Sequence, residues 1–96
     1  MNDADKLKIL KQDLQMITSA NDEYLHNLLS LSAERIRGEG IILIENDIRS
    51  DMAQIQYAAY LYRKRAAADT VMPRYLRFEL NNMKFSKKYG GGTSDI

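Results

Sequence analysis

The sequence predicts an all-α fold: a small bundle of four helices, with one longer hydrophobic loop between the second and third helices and a flexible C-terminal tail. Three observations predict it. Apolar residues recur at steps of three and four in four separate segments, the period of a helix with one buried face. The segments are divided by residues that stop or start helices, among them Gly38, Asn46, Asp47 and Pro73. The only strand-like run is Ile41-Ile42-Leu43-Ile44, and no second run exists in the chain to pair with it.

The first helix is expected from about Asp5 to Thr18, with Leu7, Leu10, Leu14 and Ile17 on one face. Ser19-Ala20-Asn21-Asp22 reads as a break and a new start, where Ser19 or Asn21 caps and Asp22 and Glu23 suit the positive helix end. The second helix runs from about Asp22 to Arg37 on a stripe of Leu25, Leu28, Leu29, Ser32, Ala33 and Ile36, and Gly38 is placed to end it in a left-handed conformation. Residues 38–46 form the hydrophobic loop. If Ile41 to Ile44 were a strand, its partner would have to come from another copy or another protein.

The third helix is the longest, about Asp47 to Ala67, capped by Asn46 or Asp47. Ile48, Met52, Ile55, Ala59, Tyr62 and Ala66 make one stripe, and Tyr57, Tyr60, Leu61 and Lys64 fall on roughly the opposite side. A helix apolar on two sides is either central in its domain or pressed between subunits. With so few other elements, the expectation is that sister copies or a docking protein cover the second face. Candidate interface residues are therefore Tyr57, Tyr60, Leu61 and Lys64, together with Ile41, Ile42, Leu43 and Ile44. The fourth helix follows Pro73, which suits a first turn. It carries Leu76, Leu80 and Met83, with Arg74, Arg77 and Asn81 nearer the solvent, and ends around Lys84. The organisation is one helical domain over 1–83 and a flexible, basic, glycine-containing tail over 84–96.

With 96 residues there is room for one modest core, and 45% hydrophobic against 28% charged residues is the balance of a globular chain rather than a disordered one. No cysteine is present, so stability must come from packing or from a partner chain. No apolar run approaches the roughly 20 residues of a membrane helix, and Met-Asn-Asp-Ala-Asp-Lys lacks an apolar signal core. The reading is a cytosolic chain with no membrane partner.

Catalytic chemistry has little to work with. There is one histidine, His26, at the edge of the second helix's stripe, where it reads as a boundary or surface residue. Asp22-Glu23 and Asp47 with Asp51 are the carboxylate pairs, both in helix-start positions, and nothing around them suggests a pocket that would split their pKa values. Magnesium at Asp47 and Asp51 is disfavoured. The glycines do not precede a helix start in the way a phosphate cradle requires. The sequence points to no enzyme, no cofactor and no metal.

Charge is uneven. Residues 1–51 hold 6 Lys/Arg against 10 Asp/Glu, and residues 52–96 hold 8 against 3. Such polarity lets the acidic part of one copy meet the basic part of the next, or it is chance variation on a solvated surface. The basic residues Arg63, Arg65, Arg74, Arg77, Lys84, Lys87 and Lys88, with Phe85 and Tyr89 among them, form a candidate contact surface. It has three readings: a solvated face that complements the third helix's C-terminal dipole, a subunit interface, or phosphate contact with nucleic acid.

The order of these features resembles the head–tail connector family of tailed bacteriophages, also described as head-completion or DNA-packaging adaptor proteins. Three stretches carry the likeness: LQMITSANDEYLHNLLSLSAERI (Leu14 to Ile36), MAQIQYAAYLYRKRA (Met52 to Ala66), which ends in the family's Leu-Tyr-x-x-Arg at Leu61, Tyr62 and Arg65, and MPRYLRFEL (Met72 to Leu80). The likeness spans roughly residues 5–83 and rests on order and spacing rather than on any one motif. It departs in the middle, where members often carry a Thr-Gly or aromatic-containing segment and this chain has Gly-Glu-Gly-Ile-Ile-Leu-Ile. The resemblance implies a structural virion-assembly protein of a phage or prophage, built in the host cytoplasm. It would form a homo-oligomeric ring, dock to the portal protein, extend the DNA channel with only non-specific proximity to DNA, and receive the next head-completion or tail protein. It also suggests that the tail from Lys84 onward orders on a partner. The competing reading is a small helical DNA-binding regulator that uses the third and fourth helices.

Overall fold

The computed structural model describes residues 1–90. Four helices follow one another, α1 (Asp3–Asp13), α2 (Asp22–Gly38), α3 (Ile48–Ala66) and α4 (Arg74–Lys84), and no strand or sheet occurs among the described residues. The principal extents are 48 × 31 × 18 Å, a flattened body.

The side chain of Asn2 caps α1 by accepting the Asp5 N–H at 2.8 Å. The helix stops at Asp13, short of Thr18, because Gln15 turns left-handed at φ 58°. Met16 N–H then donates to Lys11 O at 2.8 Å and Gln15 N–H to Gln12 O at 3.1 Å, the paired bonds of a Schellman cap. Leu10 is fully buried as expected, but Ile17, on the expected stripe, lies beyond the stop and is 96% exposed.

In α2 the buried residues are Leu25, Leu28, Leu29, Ser32, Ala33 and Ile36, the stripe read from spacing. Ser32 Oγ donates back to Leu28 O at 2.7 Å, which satisfies the one hydroxyl on that face. Asn21 occupies the cap position without a side-chain bond. Gly38 is still helical, and the left-handed residue is Gly40 at φ 91°. The turn needs its left-handed residue one step past the Glu39 cap, so Gly40 serves.

Asp47 caps α3, accepting the Ser50 N–H at 3.0 Å. This helix is central. On one side Ala53 and Tyr57 pack with Ile36, Ile41, Leu76, Leu80, Met83 and Tyr89. On the other, Ile55, Ala58 and Ala59 pack with Leu10, Leu25, Leu28 and Leu29. Flanking cores widen the buried arc and rotate it from the expected stripe: Ile48 and Ala66 are exposed, and Met52 and Tyr62 are half-buried. Polar residues share the buried arc because each has a partner. Gln54 donates to Leu29 O at 2.9 Å and accepts from Lys6 Nζ at 2.9 Å. Asp51 sits 3.7 Å from Lys6 Nζ and 3.3 Å from the amino group of Met1.

The hydrophobic loop finds its partner inside the chain. Ile41 is buried and forms an isolated antiparallel bridge with Gly90, and Ile42 N–H donates to Tyr89 O at 2.7 Å. Neither another copy nor another protein is needed for that pairing. Over residues 84–90 the expectation of a flexible tail is corrected in the same place. Lys84 ends α4 and residues 85–90 fold back as a strap, because Tyr89 is an apolar anchor whose hydroxyl donates to Asp47 Oδ2 at 2.8 Å. The rest of that stretch, 91–96, lies outside the described residues.

Candidate interaction surface

Leu76, Leu80 and Met83 turn one side of α4 into the core. At 100° per residue, the opposite side is formed by Arg74, Phe78, Asn81, Asn82 and Phe85. Phe78 is 68% exposed and Phe85 75%, so two phenylalanines stand at the solvent apex of a helix whose inner side is already satisfied. Tyr75, on the flank, is also exposed and shares with Ile48, Met52, Ala53 and Gln56 a groove of about 420 Å³ between α3 and α4. Arg49 and Glu79 line the same groove and form a two-pronged ion pair, and that hydrogen bond raises the Arg49 pKa above its usual value. Glu79 is the only acid in α4, so the outer face carries Arg74 with two aromatic rings, two amides and no carboxylate.

On this outer face Phe78 and Phe85 lie seven residues apart, two turns of the helix, and are the two exposed phenylalanines of the described residues. The sequence reading had its ingredients. Once Leu76, Leu80 and Met83 are assigned to the core, Phe78 must join Arg74 and Asn81 outside.

The interface residues read from sequence are distributed differently. Tyr57 and Ile41 belong to the core of a single chain at 6% and 2% exposure, and the second face of α3 is covered by α4 and the strap rather than by a sister copy. Tyr60, Leu61, Leu43 and Ile44 are half-buried against the same core. Tyr57 and Tyr60 meet edge-on with centroids 5.9 Å apart. Ile42 remains exposed, as does Lys64, whose ammonium donates to the carbonyls of Ala68 and Thr70 at 3.2 Å each.

The basic residues do not stand as one open surface. Arg63 pairs with Asp13 at 3.3 Å, Arg77 grips Glu39 with bonds of 3.0 and 2.8 Å, and Lys88 lies 3.5 Å from Asp47. These bonds join the basic second half of the chain to its acidic first half within one molecule. Arg65 lies over the Tyr24 ring at 4.6 Å and Lys84 near the Phe85 ring at 5.8 Å. Arg74 and Lys87 are exposed with no ion pair among the described residues.

His26 is exposed on α2. Asp47 and Asp51 are engaged as cap and ion-pair partner, and among the described residues no group of three or more His, Asp or Glu could hold a metal ion. No helix among the described residues is long and apolar enough to cross a membrane. Comparison of the chain with protein-family models, curated proteins and solved structures gives no match.

Proposed function

We propose that this chain is a structural assembly protein of a tailed phage or prophage, a head–tail connector that forms a ring, docks to the portal protein and receives the next head-completion or tail protein. The observation that carries the reading is the outer face of α4, where Phe78 and Phe85 are exposed on a helix whose other side is fully packed. A chain this small gains nothing as a monomer from two phenylalanines in water, whereas burial of each in a contact contributes about 1.5–3 kcal/mol. The likeness of Leu14 to Ile36, Met52 to Ala66 and Met72 to Leu80 to the connector family supplies the kind of contact, and the last of these stretches contains Phe78. Assembly then places the chain in the virion after it is built in the host cytoplasm.

A DNA-binding regulator would need its arginines available to phosphates. Here Arg63 and Arg77 each lie against a carboxylate and Arg65 over the Tyr24 ring, so the arginines of α3 and α4 do not form one open surface for phosphates, and this supports the assembly reading. Native mass spectrometry of the purified chain, alone and with the portal protein encoded beside it, tests the proposal. Closed multi-copy rings, formed alone or on the portal, are the expected result. A chain that stays monomeric in both conditions and binds duplex DNA with a steep salt dependence overturns it.

A further inference from the structure

We infer that the outer face of α4 seats in an acidic cleft of the next copy of this chain, so that the ring contact joins two different surfaces. The inference rests on the connector reading and adds which surfaces meet. The cleft, about 760 Å³, opens between the start of α1, the second half of α2 and the loop before α3. Leu43 and Ile44 give it half-buried apolar walls, and Asp3, Glu34 and Glu45 stand exposed around it. The cleft's three cations are engaged within it, the Met1 amino group and Lys6 with Asp51 and Arg37 with Glu34 at 3.7 Å, which leaves Asp3 and Glu45 as its acids without an ion pair among the described residues.

Three properties of the α4 face match it. Phe78 and Phe85 offer apolar bulk to the apolar walls. Arg74, exposed and without an ion pair among the described residues, offers a cation to the carboxylates, and Lys87 of the strap, three residues past the end of the helix, is likewise exposed and without an ion pair among them. No acid of the α4 face opposes them, since Glu79 is held by Arg49. Contact between two identical α4 faces would instead set two cationic faces without a carboxylate against each other, an arrangement that costs affinity.

The two surfaces share no residue: the cleft is lined by the start of α1, the second half of α2, the loop and Ser50, Asp51 and Gln54 of α3, and no residue of α4 lines it. A contact between unlike surfaces repeats from copy to copy and closes into a ring when the rotation permits.

The absence of cysteine makes a direct test available. Asn81→Cys and Glu45→Cys are made as separate full-length variants, mixed in equal amounts under oxidising conditions, with portal protein present if assembly requires it. A disulfide-linked heterodimer is expected to form several-fold faster in the mixture than in either variant alone, and the double variant is expected to give a ladder of linked copies. In parallel, Glu34→Lys with Glu45→Lys is expected to weaken assembly at least tenfold, with partial rescue by Arg74→Glu and Lys87→Glu in the same chain. All four positions are on the surface, and circular dichroism checks that the fold is kept. Rings that form normally, with cross-linking no faster than in the single-variant controls and no effect of charge reversal, overturn this interface and leave the connector reading standing. A wild-type chain that forms no ring, alone or on the portal, overturns both.

Discussion

Asp47 carries three jobs at one carboxylate. It caps α3 through Ser50, accepts the Tyr89 hydroxyl that holds the strap, and lies near Lys88. The Ser50 N–H, with help from Tyr89 and Lys88, lowers its pKa from 3.8 to about 2. A carboxylate with a depressed folded-state value stabilises the fold above its unfolded pKa and loses that contribution as pH falls through the folded one. Thermal melting of the wild type should therefore drop between about pH 4 and about pH 2, and Asp47→Asn should flatten that part of the profile. Burial raises the pKa of Tyr89, and its hydrogen bond to Asp47 does so further, so the phenol stays protonated as a donor. Gly90 has a steric role. A Cβ there would stand 2.2 Å from Lys84 O and 2.5 Å from Ser86 O, and Gly90→Ala should cost about 1–3 kcal/mol, read by denaturant unfolding. Gln15 works the other way. It holds a left-handed conformation at φ 58° that costs a side-chain-bearing residue about 1 kcal/mol, so Gln15→Gly should raise stability by up to that amount.

At the scale of the element, legibility followed how many neighbours an element has. α2 packs along one stripe, and its six buried residues were all visible in the spacing. The inner side of α4, Leu76, Leu80 and Met83, was equally plain. α3 was harder because cores on both sides of it widen the buried arc, so the true buried set includes Ser50, Asp51 and Gln54, which no hydrophobic pattern reveals. Its two-sidedness was legible, but not the reason for it: α4 and the strap supply the second cover. The early stop of α1 was hidden because its left-handed residue is a glutamine rather than a glycine. The strap was hidden because its anchor is one tyrosine beside three glycines. Since Leu80 is completely enclosed where α4 meets α3, Leu80→Ala should destabilise the chain by about 2–5 kcal/mol in chemical denaturation, while Phe78→Ala should change monomer stability little.

For the molecule as a whole, part of the uneven charge of the sequence is met by internal pairs, Arg63 with Asp13, Arg77 with Glu39 and Lys88 with Asp47. What remains outward is an aromatic and cationic face on α4 and an acidic cleft elsewhere. The candidate surface was half legible: the basic residues were plain in the sequence, but the spacing marks Tyr57 and Ile41 as interface residues, which α4 and the strap bury within one chain, and does not mark Phe78 and Phe85, which the fold leaves outside. Because screened charges contribute to such a contact, assembly should weaken as salt rises, without being abolished while the rings of Phe78 and Phe85 stay buried. The most direct measurement is the native mass of the Phe78→Asp chain beside that of the wild type, each alone and with the portal protein. The account predicts multi-copy rings for the wild type and folded monomers for the variant; rings of the same size from both would contradict it.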